Sequence, residues 1–159
     1  NTNAKTTPFD IDKVRGYRNF ANKIWNIARY VGIKLDEAKT DLKNCNIDKK
    51  DLKPEDVEIL KTLEELKSKS VEYLDTYSFK LAGEGIYDFL WDTFASGYME
   101  KTKGREDIEV VNYVYVQCLT SSLKLLHPFM PFVTESVWQE LKLFNFGDNE
   151  ESISLSSYV

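Results

Sequence analysis

The feature that most constrains this chain lies between residues 14 and 31. There Val14, Tyr17, Ala21, Ile24, Ala28 and Val31 recur at alternating spacings of three and four. A helix turns about 100° per residue, so all six fall on one side of it, whereas a strand would scatter them over both faces. The spacing therefore predicts an amphipathic helix with one buried seam. Comparable periodicity recurs along most of the chain, and no stretch alternates with period two for more than a few residues, which predicts an all-α fold.

Local signals divide the pattern into about five helices. Helix 1 is expected to open after Asp10 or Asp12 and to stop near Gly32, since glycine readily ends a helix. The polar stretch 34–53 reads as a connection holding at most a short helical turn. Helix 2 begins at Pro54, where PED places proline and two acids in the first turn, and runs to Asp75. Helix 3 covers SFKLAGEGIYDFLWDTFASGYMEK and ends in the loop KTKGRED. Helix 4 extends from Ile108 to His127 and is halted by Pro128, and helix 5 runs from Pro131 to Leu141 or Leu143. Short links make neighbouring helices antiparallel, giving an up-and-down bundle. The expected organisation is an N-terminal tail at 1–10, a helical domain at 11–145 and an extended tail at 146–159.

A length of 159 residues suits one domain with a core of its own. The two cysteines, Cys45 and Cys118, show no pairing motif, so the expected compartment is the reducing cytoplasm. No apolar run reaches membrane-spanning length, and a monomer is expected. The start, NTNAKTTPFDID, has no initiator methionine and reads as the edge of a piece of a longer chain.

The formal net charge of −5 hides an asymmetry: residues 1–35 carry +5 and the remainder −10. Opposite the apolar seam, Arg15, Arg18, Asn19, Asn22, Asn26 and Arg29 share a band of about 100° on helix 1. Asparagine is a mediocre helix former, so three of them in so few turns call for a compensating role. One reading is a solvated face or a contact with a neighbouring helix. The other is RNA, since guanidinium groups pair with phosphate and stack on bases while amides both donate and accept.

Topology extends the second reading. In an alternating bundle the end of helix 1, the start of helix 2, the end of helix 3 and the start of helix 4 share a pole. That pole collects Arg29, Tyr30, Lys34, Glu58, Lys61, Lys101, Lys103 and Arg105. The candidate RNA-binding set is therefore Arg15, Arg18, Asn19, Asn22, Asn26, Arg29, Tyr30, Lys34, Lys101, Lys103 and Arg105.

Other residues carry less chemistry. His127 has no accompanying nucleophile or ligand set and reads as a helix-end residue. Gly83 and Gly85 lack the preceding strand of a phosphate loop and read as close-packing or kink positions. Trp25, Trp91 and Trp138 lie at core spacing and are expected inside.

Three stretches, RNFANKIWNIARYV at 18–31, GIYDFLWDTFASGYMEKTK at 85–103 and LLHPFMPFVTESVW at 125–138, resemble the anticodon-binding helical domain of the valyl-tRNA synthetases, class Ia enzymes. PEDVEILKTL at 54–63 resembles the start of that domain's second helix. The third stretch also resembles the leucyl and isoleucyl enzymes, so the same module from another class Ia synthetase is an alternative; a helical protein-interaction module is another. Two departures stand out: Glu58 where the family usually has an aromatic residue, and Ala95-Ser96-Gly97 where Cys-Asp-Trp is common. The resemblance implies recognition of the tRNA for valine, with the remaining domains of the synthetase as further partners. It places the opposite pole, with the Pro128–Phe132 corner, against the catalytic body. ATP and magnesium would belong to the full-length enzyme. Neither a HIGH-like nor a KMSKS-like motif occurs here, so the expectation is no catalysis and no cofactor in this piece.

Overall fold

A computed structural model of the chain describes residues 8–39, 41, 47–143 and 153, with backbone alone for 8–14. Helix α1 spans Pro8–Ala38, α2 Pro54–Asp75, α3 Phe79–Asp88, α4 Ile108–Leu126 and α5 Pro131–Lys142, with one 3-10 turn at Lys49–Asp51 in the connection. Helix α3 runs without a break into a π-helix, Phe89–Met99. No strand occurs among the described residues, and the chain is all-α.

Helix α4 is the centre of the bundle. Fourteen of its nineteen residues are buried, because α1, α2, the α3/π-helix and α5 all pack against it. Its direction opposes that of α1. Asn112 near its start donates to the Lys34 carbonyl near the end of α1 at 3.3 Å, while Leu126 and Met130 line one groove with Tyr17 and Phe20 near the start of α1. Helices α1 to α4 thus alternate up and down. The turn after α4 is tied to α5 by His127, whose Nδ1 lies 2.9 Å from the Thr134 hydroxyl.

Helix α1 runs six residues past Gly32. The seam Ile24, Ala28 and Val31 continues to Leu35, which is 2 % exposed, so burial of another apolar residue outweighs the modest cost of an internal glycine. The helix ends instead at Lys39, a residue in the left-handed conformation (φ 51°) whose N–H donates to the Asp36 carbonyl at 3.1 Å. At the other end Tyr17, expected in the seam, is 48 % exposed, because it reaches the open rim of the bundle.

The π-helix accounts for an irregular apolar pattern. Phe89, Leu90, Phe94, Tyr98 and Met99 are all buried and recur at intervals of four and five, wider than the 3.6-residue α turn. The rings of Phe89 and Phe94, five residues apart, lie 6.5 Å apart and within 4° of parallel. Trp138 is fully buried as expected and Trp25 partly so; Trp91 is 38 % exposed, since the wider turn brings it to the surface beside α1. Cys118 is buried in α4, where burial pushes its thiol up. Cys45 and nearly all of the expected tail 146–159 lie outside the described residues. Ile153 is described: it is buried, and its N–H donates to Glu135 Oε2 at 3.2 Å.

Candidate nucleic-acid interface

All six residues of the polar stripe, Arg15, Arg18, Asn19, Asn22, Asn26 and Arg29, are exposed on α1. From Arg15 to Arg29 the stripe runs for about 20 Å at 1.5 Å per residue. Beyond its far end the same helix borders a cleft of about 500 Å³ between the end of α1, the 102–105 loop and the start of α4, while Arg29 itself lines a separate small pocket against α5 with Glu140 and Leu141. Tyr30, Lys34, Lys103 and Arg105 line this cleft together with Thr102, Gly104, Asn112 and Tyr115. Of the eight residues expected to share a pole, Tyr30, Lys34, Lys103 and Arg105 meet in this cleft, whereas Glu58 and Lys101 line another cavity and Arg29 a third.

The cleft walls are built by local chemistry. Lys34 Nζ sits 5.3 Å from the Tyr30 ring centroid and 3.6 Å from Glu37. The Tyr30 ring lies 6.2 Å from that of Tyr115, whose hydroxyl is 2.6 Å from the Thr102 hydroxyl. Burial, only partly offset by the hydrogen bond with Thr102, pushes the Tyr115 phenol up to about 12, so it stays protonated at neutral pH. Gly104 has φ +84°, a backbone turn that glycine makes without strain. Lys103 is exposed and donates to Glu100 at 2.8 Å, which raises its pKa. Lys101 faces elsewhere, into a smaller cavity of about 190 Å³ that both departures, Glu58 and Gly97, also line.

Arg105 differs from its sequence reading. Its side chain is only 8 % exposed, and all five of its N–H donors are taken by carboxylates. Nε donates to Asp107 at 2.9 Å; Nη1 donates to Glu55 at 3.0 Å and to Asp56 at 2.6 Å. Nη2 donates to Asp56 at 3.0 Å and to Asp107 at 2.5 Å. No donor is left for phosphate, so Arg105 is an internal clamp that borders the cleft. Burial pushes the Asp56 carboxyl up, but hydrogen bonds from Arg105, the Tyr98 hydroxyl and the Lys53 N–H, with the guanidinium charge, hold it below its usual value. Tyr98, buried and bonded to Asp56 at 2.5 Å, is raised.

Sequence reading missed Lys23 and its aromatic neighbours. Lys23 donates to the Tyr87 hydroxyl at 2.7 Å and lies 3.7 Å from the centroid of a Trp91 ring, which puts a cation and an exposed indole beside the amide stripe. Its place next to the stripe on the helical wheel was the available signal. Arg29 in turn lies 6.0 Å from the Trp25 ring.

The opposite pole is different in kind. An open groove of about 730 Å³ there is lined by Tyr17, Phe20, Phe79, Tyr87, Phe129 and Met130, among others. Around it Phe132 is 86 % exposed, Tyr77 80 %, Leu81 51 % and Phe79 50 %. No described helix is long and apolar enough to cross a membrane. Among the described residues, no group of three or more His, Cys, Asp or Glu is placed to hold a metal ion.

The family model described as "Anticodon-binding domain of tRNA ligase" matches residues 56–159. Similar curated proteins include the valine–tRNA ligase of Legionella pneumophila (strain Lens), 37 % identical over 158 residues, which cover 94 % of this chain and 17 % of the relative. That of Fervidobacterium nodosum is 43 % identical over 128 residues, covering 79 % and 14 %. The Thermotoga maritima enzyme is 38 % identical over 145 residues, covering 89 % and 16 %. The chain therefore spans about a sixth of the length of the relatives it matches.

Proposed function

Because the chain belongs to the anticodon-binding domain family of tRNA ligases, we propose that it recognises the anticodon stem-loop of a valine tRNA as one domain of a longer valine–tRNA ligase. The observation that carries this reading is the exposed Arg/Asn stripe along α1, with a cation-bearing cleft at the end of the same helix. The stripe is matched to a ribose-phosphate backbone, where arginines pair with phosphate and amides with 2′-hydroxyls. The cleft offers what an unstacked base needs: the half-buried Tyr30 ring and the Lys34 and Lys103 ammonium groups.

The apolar pole suits the remaining domains of the same ligase, since a cluster of large exposed apolar side chains marks a protein interface. ATP and magnesium belong to the reaction of the whole ligase. Aminoacylation, with those cofactors, is assigned to the rest of the longer chain, working as a monomer in the cytoplasm.

The test is binding of the chain to a valine anticodon stem-loop and to the same stem-loop with its anticodon replaced, over a salt series. The expected result is tighter binding of the valine anticodon and a linear fall of log affinity with log salt. Equal affinity for both RNAs, or for an unrelated acidic protein, would overturn the assignment in favour of an unspecific or protein-docking face.

A further inference from the structure

We infer that the buried clamp of Arg105 on Asp56, Glu55 and Asp107 is a positioning device for base discrimination in the neighbouring cleft, a role that rests on the anticodon-binding reading above. Arg105 joins three elements at the same pole: the first turn of α2 through Glu55 and Asp56, the loop before α4 through its own backbone, and the start of α4 through Asp107. Tyr98 adds the end of the π-helix by donating to the same Asp56. Residues 102–105 of the clamped loop form one wall of the cleft, and Lys103 projects from it.

The clamp reaches the opposite wall through packed aromatic rings. Tyr98 packs edge-on against Tyr115 at 5.8 Å, and Tyr115 lies 6.2 Å from Tyr30, which stands across the cleft from the loop. Thr102 fastens the loop to Tyr115 by the contact at 2.6 Å. The separation of Tyr30 from Lys103 is therefore set by a saturated polar network at the border of the cleft. A planar guanidinium with five fixed donors holds such a geometry, whereas an ammonium at the same place offers three donors on a flexible stem. Asp56 and Arg105 make no contact with RNA in this scheme; they act through the wall they hold.

The experiment compares the chain with Arg105→Lys and, as a milder lesion at the exposed edge of the clamp, Asp107→Asn. Each is first shown by circular dichroism to be folded at the assay temperature. Binding is then measured to the valine anticodon stem-loop and to the anticodon-replaced one across a salt series. Both variants are expected to lose discrimination between the two RNAs, by about five- to tenfold for Arg105→Lys and less for Asp107→Asn, because coupling through a packed network is of that order. Their salt slopes should match the unmodified chain, since no phosphate contact is removed. Lys103→Gln, which removes a cation from the wall, should lower the slope instead. Folded variants with unaltered discrimination would overturn the inference and leave the clamp a purely structural element. A lowered salt slope in Arg105→Lys or Asp107→Asn would also overturn it, by making the clamp an electrostatic contact. If the unmodified chain itself fails to distinguish the two RNAs, it is the anticodon-binding reading that fails.

Discussion

The two poles of this bundle are built from the same helices and differ in almost every physical respect. At one, the end of α1, the 102–105 loop and the start of α4 enclose a cleft of about 500 Å³ beside an ion-pair clamp onto the start of α2. At the other, the starts of α1 and α3 and the end of α4 leave a larger, more open groove ringed by Tyr17, Phe79, Phe129 and Phe132. The polar pole pairs its own charges before any ligand arrives: Glu55, Asp56 and Asp107 hold Arg105, and Lys53 also reaches Asp107. The apolar pole leaves several large side chains in water. Pre-organised polar groups suit a ligand that comes and goes, and uncovered apolar area suits a permanent neighbour.

The comparison is broken most severely at the clamp. Asp56→Ala should destabilise the fold by about 3–5 kcal/mol, because it leaves the Arg105 guanidinium buried beside an empty place. Urea unfolding measures this. The pH dependence has a definite sign. Since the folded-state pKa of Asp56 is depressed, its contribution is fully present above the ordinary carboxylate range near 4 and is lost as pH falls through the lower folded value. Asp56→Asn should therefore flatten the acid limb of the stability curve, and an unchanged limb would show that Asp56 is not held as described.

Next in size is the far end of the stripe. Arg29→Ala should weaken binding of the valine anticodon stem-loop by about 1–3 kcal/mol and reduce discrimination against a replaced anticodon, as loss of a base contact does. Arg15→Ala, near the other end of the stripe, should weaken both RNAs alike. A reversal of the two would invert the polarity assigned to α1. Smaller still, Lys23→Met should cost about 0.5–1 kcal/mol of stability by removing the ammonium from the Trp91 face. At the apolar pole, Phe132→Ser should shift stability by no more than about 0.5 kcal/mol, because its ring is already in water. It should leave RNA affinity unchanged, and a fall in affinity would mean that the apolar pole takes part in RNA binding.

How much of this was legible in the sequence depended on whether a residue's signal was local. Pro54 and Pro131 act within one turn, and the bounds of α2 and α5 follow from them directly. Gly32 gave the wrong end for α1 because a glycine stops a helix only if the chain beyond has nothing to bury, and Leu35 does. The π-helix escaped notice because intervals of four also belong to an α-helix and only the five-residue steps from Phe89 to Phe94 and from Phe94 to Met99 are decisive. The stripe was readable from angular position alone. Arg105 was not: its charge placed it with the basic pole, but its partners Glu55 and Asp56 lie some fifty residues away and had been accounted for by the α2 dipole. The exposure of Trp91 had the same origin, since only packing against α1 reveals what it meets.

The claim that RNA meets one pole and not the other has a direct test in two matched lysines. Lys34 lines the polar cleft and Lys80 lines the apolar groove. Lys34→Gln and Lys80→Gln each remove one positive charge, so any global electrostatic effect is common to both. The measurement is the salt slope of binding to the valine anticodon stem-loop for the unmodified chain and the two variants. The account predicts a slope lowered by about 0.7–0.9 for Lys34→Gln, the signature of one lost phosphate contact, and no change for Lys80→Gln. An equal drop in both, or a drop confined to Lys80→Gln, would contradict it.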